Sequence, residues 1–251
     1  SGYLKEGATA LVTRHIPKAT PADKSAALER GFRLLASLGI TSIQNASGSV
    51  EDLALYQDMI DKGKATARVS LVMSARDKNA PFNEWAVLHK QYENNRRLRM
   101  TGVKFMLDGV IESHTAALLS PYSDGHEGTG TLNWNVDDYR DAVARADRLG
   151  LQIYTHAIGD RAVRTALDAY QYAVDRNGPR FHLNRRDRRF RIEHIETLMP
   201  EDMPRFAALN VMAVMQPIHA DPATVEVWSK ALGANRAKRG FPWRSLERAG
   251  A

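Results

Sequence analysis

The sequence predicts an α/β fold built on a parallel sheet, and three observations lead there. Short β-branched runs alternate with longer segments of helical periodicity along almost the whole chain. Six such runs start near residues 40, 67, 102, 151, 190 and 211, and a helical segment follows each. The composition is that of an ordinary globular chain: 251 residues, 43% hydrophobic and 25% charged, enough to bury a core without staples. Strict βα alternation requires parallel strands joined by right-handed crossovers.

The elements follow in order. Thr20-Pro21 opens the first clear helix, with Thr as N-cap and Pro at the first helical position; it runs to about Leu38 and stops at Gly39. Ile40 to Gln44 reads as a strand, Val50 to Lys62 as a helix ended by Gly63, and Ala67 to Met73 as the next strand. A helix around Asn83 to Asn95 leads to the buried strand Gly102 to Leu107. A loop of about 28 residues, from Asp108 to Asn135, follows; loops this long are functional or mobile as a rule. Val136 to Leu149 is a helix, Leu151 to Thr155 a strand, and Asp160 to Asp175 a helix with Asp160 as its candidate N-cap. Phe190 to Glu193 is a strand, Pro200 to Leu209 a helix and Val211 to Met215 the last strand, with two further helices near Ala223 to Leu232 and Trp243 to Ala249. On this evidence the architecture is a doubly wound sheet or a (β/α) barrel. No G-x-G-x-x-G follows a strand and no G-x-x-x-x-G-K-[ST] occurs, which counts against nucleotide-binding doubly wound folds.

Several function classes lose ground on composition. Zero cysteines exclude a disulfide framework, a thiolate zinc site and a Cys nucleophile. The apolar runs fall short of the roughly 18 residues that suggest a membrane span. The net charge of +6 is modest. The basic run from Arg180 to Arg191 carries Phe181 and Phe190 but no recognisable nucleic-acid module, so a solvated loop leading into a strand is expected and no nucleic-acid partner. The first residue is Ser1 rather than Met, so the lack of a leader in these residues carries no information on location.

The candidate chemistry sits where parallel strands end. A barrel of this class builds its site at the C-terminal ends of its strands. Strand four ends in Tyr154-Thr155-His156, strand five in Arg191-Ile192-Glu193-His194, and strand six in Gln216-Pro217-Ile218-His219. Imidazoles at the ends of adjacent strands give a metal converging nitrogen ligands on rigid supports. A histidine at a strand end can equally be a hydrogen-bonded structural residue, and His156 and His194 stand between the two. Lys104 lies inside the apolar strand GVKFML, where an ammonium must be desolvated unless it is paired or altered. It is either an interior lysine paired with Asp108 or Glu193, or a lysine whose amine has lost its charge, as a base or as a metal-bridging carbamate. His114, on the long loop, is a candidate substrate contact. His126 is expected to be exposed, and His15, His89 and His182 carry no assigned role.

Three long motifs then carry a resemblance: GVKFMLDGVIESHTAALLSPYSD at 102–124, YTHAIGDRAVRTALDAY at 154–170 and RIEHIETLMPEDMPRFAALNVMAVMQPIHA at 191–220. The chain resembles the amidohydrolase superfamily, in particular its YtcJ-like branch that includes N-substituted formamide deformylases. GYLKEGATALVTRHIP and ASLGITSIQNA are similar too, so the resemblance spans nearly the whole chain. It implies a (β/α)8 TIM barrel of the metal-dependent hydrolase type, with a divalent metal, usually zinc, and an activated water attacking an amide or similar carbonyl. Position by position, His156 and His194 match metal ligands at the ends of barrel strands five and six. Lys104 matches the strand-four lysine, which can be carboxylated. His114 and His219 are the expected substrate-binding residues and a small amide is the expected substrate. An ester or lactone hydrolase on the same scaffold, and a non-catalytic binding barrel, are the competing readings.

The family pattern also needs a His-x-His pair on strand one and an Asp on strand eight, the latter as general base. No H-x-H occurs here, and the Asp is expected beyond Ala251. Residues 1–251 are therefore expected to be the central part of the barrel domain, about six of eight βα units truncated at both ends. Such a piece is expected to be inactive alone, to bind metal weakly, and to self-associate through its open sheet edges.

Overall fold

The computed structural model describes Leu4, residues 6–178 and residues 188–251. The six strands are β1 (Ser42–Gly48), β2 (Arg68–Ala75), β3 (Leu98–Met106), β4 (Gln152–Ala157), β5 (Arg191–His194) and β6 (Met212–Val214). They form one parallel sheet in the order β1-β2-β3-β4-β5-β6. A doubly wound sheet would reverse its order at a switch point. A sequential order is barrel topology, and that resolves the choice the sequence left open.

The described helices are α1 (Ala10–Thr13), α2 (Pro21–Ser37), α3 (Val50–Asp61), α4 (Phe82–Gln91), α5 (Val136–Arg148), α6 (Asp160–Asn177), α7 (Met203–Ala208), α8 (Pro222–Leu232), α9 (Ala234–Ala237) and α10 (Trp243–Arg248). Most of the basic run 180–191, with His182, lies outside the described residues. Among the described residues no helix is long and apolar enough to cross a membrane.

The chain divides into two compact units, Ser1–Ser74 with Val87–Thr101, and Ala75–Ala86 with Gly102–Ala251. In the first, both long helices begin with a reciprocal cap. The Thr20 hydroxyl accepts from Asp23 N at 3.1 Å, and the Asp23 carboxylate accepts from Thr20 N at 2.9 Å. Ser49 and Asp52 repeat the pattern at α3. Each box satisfies donors that helix ends otherwise leave bare. The core of this unit gathers Phe32, Leu53, Met59, Leu71 and Met73, all at most 2% exposed.

In the second unit the strands carry different chemistry on their two faces. Lys104 and Met106 of β3 pair with Tyr154 and His156 of β4, which pair with Arg191 and Glu193 of β5. Side chains alternate along a strand, so these residues share one face. Phe105, Thr155 and Ile192 share the other, against the helices. There Phe105 packs on Phe82, Trp134 and Tyr139. The buried Thr155 hydroxyl meets Tyr139 Oη and accepts from Tyr170 O–H, each at 2.7 Å. Gly102 allows close approach to β4: a Cβ there would lie 2.1 Å from the Gln152 carbonyl oxygen.

The long loop is tied down, contrary to the mobile alternative. Asp108, 1% exposed, accepts from Ala117 N at 2.9 Å, Ile158 N at 3.0 Å and Gly159 N at 2.9 Å. Gly159, not Asp160, is the N-cap of α6; the Asp160 carboxylate accepts from Leu119 N at 2.8 Å and Arg161 N at 2.9 Å. Ile111, Leu118 and Tyr122 of the loop pack with Trp228 and Leu232 of α8.

Candidate metal centre

The ends of β4, β5 and β6 bring three imidazoles into a row. The rings of His156 and His194 lie 4.6 Å apart at 67°, and those of His194 and His219 lie 5.0 Å apart at 11°. Strand alternation alone would not put Glu193 and its neighbour His194 to use side by side. The backbone does so by leaving the strand: His194 has φ 81° and Ile195 φ 51°. That conformation is rare for a non-glycine residue and an outlier for a β-branched one.

Each ring has one nitrogen committed. His156 Nε2–H donates to Gly109 O at 3.0 Å, with Asp108 Oδ1 at 3.5 Å. His194 Nδ1–H donates to Gln216 Oε1 at 2.6 Å, and Gln216 Nε2 donates to Val214 O at 3.3 Å, which orients the amide. His219 Nδ1–H donates to Glu196 Oε1 at 2.8 Å. An N–H donated to a carbonyl-type oxygen fixes the tautomer and leaves the other nitrogen with its lone pair, the arrangement typical of metal-ligating histidine. Burial pushes the His156 imidazole down to about 4. Burial, then the neighbouring His156, pushes His194 down to about 3. Both rings are therefore neutral at pH 7.

Lys104 is 5% exposed, and burial lowers its amine to about 8 while the Glu193 carboxylate pulls the other way. Of its two expected partners, Asp108 is turned onto backbone N–H groups, and Glu193 is the anion that acts on it. Glu193 is itself held by Arg191 at 2.8 Å, whose guanidinium lies 4.4 Å over the Tyr154 ring. Burial raises the Asp108 carboxyl to about 7 against the pull of its three backbone donors.

His114 is engaged inside its own loop. Its Nε2 meets Asp124 Oδ2 at 2.7 Å, and its ring stacks on His126 at 4.2 Å and edges Tyr122 at 4.8 Å. His219 joins the row, whereas His114 has its ring contacts elsewhere. A cavity of about 280 Å³ opens beside β6, lined by Ala213, Met215, Pro217, Trp243, Leu246, Glu247 and Ala251, away from the predicted site residues.

The donor set fits a divalent cation in part. Two neutral imidazoles with free nitrogens and a lysine of lowered basicity are suitable ligands. Among the described residues, however, no group of three or more His, Asp or Glu side chains is arranged to hold an ion. Glu196, Gln216 and the three-donor role of Asp108 escaped sequence reasoning. All three act through hydrogen bonds to residues distant in sequence, for which a one-dimensional pattern has no signal.

The sequential parallel sheet is shared with solved structures of the metal-dependent hydrolase class. An uncharacterized metal-dependent hydrolase from Pyrococcus furiosus superposes with a TM-score of 0.74 at 26% identity, covering 96% of this chain and 47% of that one. A similar hydrolase from Pyrococcus horikoshii, at 23% identity and a TM-score of 0.74, shares the fold. The chain belongs to the amidohydrolase family, whose sequence model matches residues 1–251. It is 29% identical to the protein LONG AFTER FAR-RED 3 of Arabidopsis thaliana over 98% of this chain and 42% of that protein. It is 25% identical to the YtcJ protein of Bacillus subtilis, which carries an amidohydrolase name, over 98% of this chain and 44% of that one. The chain thus spans less than half the length of these two curated relatives.

Proposed function

We propose that these residues carry part of the metal centre of a hydrolase of C–N bonds, acting on amides or N-formyl and N-acyl amines. The observation that supports it is the pair His156, buried, and His194, half-buried: both neutral, 4.6 Å apart, each with one N–H committed to an oxygen. They and Lys104 would hold a divalent metal, zinc by preference for nitrogen donors. When bound, such an ion lowers the pKa of its water toward about 7 and polarises a carbonyl oxygen. The chain's own residues supply the rest. Gly109 O and Gln216 hold the two rings in orientation. Glu193 and Arg191 set the charge around Lys104, whether free or carboxylated. His219, beside His194, meets the substrate, whereas His114 is held by Asp124 within its own loop.

Unless it is carboxylated, the Lys104 amine, near 8, is mostly protonated at pH 7 and leaves two imidazoles, too few for tight binding, so these residues alone should hold metal weakly and turn nothing over. Elemental analysis and an amide-hydrolysis assay of this polypeptide test that; stoichiometric zinc with turnover overturns it. The reaction is tested on the longest natural polypeptide containing these residues, assayed against N-formyl and N-acyl amines after chelation and zinc return. His156→Asn and His194→Asn should each lower activity at least about 100-fold, the scale of losing one group that stabilises developing charge. Activity that survives either substitution, or chelation, refutes the proposal.

A further inference from the structure

Glu196 is a buried carboxylate, 3% exposed, that the metal reading leaves unused. Both of its oxygens are taken. Oε2 accepts from Trp228 Nε1–H at 3.1 Å, and Oε1 accepts from His219 Nδ1–H at 2.8 Å. Its backbone oxygen accepts from Phe241 N at 2.9 Å. The indole cannot swing away: Trp228 is 1% exposed, stacks on Phe241 at 5.0 Å, and has Gly240 so close that a Cβ there would lie 2.0 Å from its ring. One end of the carboxylate is thus fixed to the body of the protein. The other end holds an imidazole whose side chain is 33% exposed and lies parallel to the His194 ring.

We infer that Glu196 is a positioning residue: clamped by Trp228, it locks the ring plane and tautomer of His219, leaving Nε2 as the nitrogen free to accept a hydrogen bond from a ligand N–H, such as that of a small amide. The amide as ligand rests on the function proposed above; the clamp does not. A carboxylate behind an imidazole fixes which nitrogen carries the proton, and so what the other nitrogen can do.

The test is nitrogen-15 NMR on the full 251-residue chain at pH 8, using two-bond correlations within the histidine rings, with His219 assigned by His219→Asn. The wild type should show His219 protonated at Nδ1 and bare at Nε2. In Glu196→Gln one amide oxygen must serve two donors that now have an oxygen each. His219 should then exchange between tautomers while the backbone amide spectrum stays native. Trp228→Phe releases one end of the carboxylate and should let His219 exchange between tautomers, though less than in Glu196→Gln; a folded Trp228→Phe chain with His219 still wholly Nδ1-protonated overturns the clamp, which covers the case in which Glu196→Gln does not fold. Titration with N-methylformamide should shift His219 Nε2 in the wild type and do so several-fold more weakly in Glu196→Gln. A wild-type His219 protonated at Nε2, or a folded Glu196→Gln with an unchanged tautomer, overturns the clamp. An unchanged Nε2 signal on adding the amide overturns the ligand assignment. Failure of the hydrolysis assays would leave the tautomer result standing, so the two readings fail separately.

Discussion

Asp108 gives the sharpest test of how the site is supported. Its carboxylate gathers three buried backbone donors from two segments: Ala117 N and Gly159 N on Oδ2, and Ile158 N on Oδ1. Asp108→Ala strands all three. A buried donor left unsatisfied costs about 1–3 kcal/mol, so the loss should be at least about 3 kcal/mol. Asp108→Asn is the informative partner. With its oxygen in the Oδ2 position it keeps two donors, and its amide N–H₂ then faces the Ile158 N–H. The Ile158 N–H and the amide's own N–H groups then lack acceptors, so Asn also costs at least about 1–3 kcal/mol, while Ala117 N and Gly159 N stay bonded. Urea unfolding gives the two losses, and hydrogen exchange at Ala117, Ile158 and Gly159 shows whether those amides are the ones released. An Ala variant within about 1 kcal/mol of wild type, or a folded Asn variant in which the Ala117 and Gly159 amides exchange as fast as in Ala, refutes the account.

Other outcomes follow from the same geometry. Gly159→Ala should be among the most damaging single changes in the loop region, because its Cβ would lie 2.0 Å from the Ala117 carbonyl oxygen; a wild-type melting temperature would contradict this. Thr155→Val removes the hydroxyl shared by Tyr139 and Tyr170, and should cost about 1–3 kcal/mol by urea unfolding, with no direct change on the face that carries His156. Acid should weaken the metal-free chain through its two neutral rings. His156 and His194 lie near 4 and 3, below an unfolded value of about 6.5, so their contribution is full above about 6.5 and is lost as pH falls toward 4 and 3. Asp108, raised to about 7, works in the opposite sense, its contribution fading as pH rises from about 4 to 7. The difference in stability between wild type and the double variant His156→Asn, His194→Asn isolates the imidazoles; it should turn against wild type below about pH 6, and a flat difference would contradict the burial argument. Self-association through the two outermost strands, β1 and β6, should appear in light scattering as mass rising with concentration.

Much of this fold is written in local signals. Thr20-Pro21 and Ser49 start helices where the sequence indicates, and Gly63 and Gly150 follow the turns that end α3 and α5. The strands lie within a few residues of their sequence positions; β3 begins earlier, at Leu98, because Leu98 and Met100 are buried among charged neighbours that break the apolar run. Lys104, His156, His194 and His219 were visible because each interrupts or ends an apolar strand. What holds them was not. Asp108, Glu196 and Gln216 are ordinary polar residues in sequence, and their partners lie 9 to 51 residues away. The same distance hides the fate of His114, which the loop turns toward Asp124.

The backward turn at the end of β5 has a cost that reaches beyond the site. His194 and Ile195 both hold positive φ, a conformation that disfavours each by roughly 1–2 kcal/mol. No local preference maintains that shape; the surrounding packing imposes it and can stop imposing it. The aim of the His194 ring therefore draws on the stability of the second unit as a whole. Loosening of this unit, however remote, should blur that aim, and firming it should sharpen the aim without touching the site.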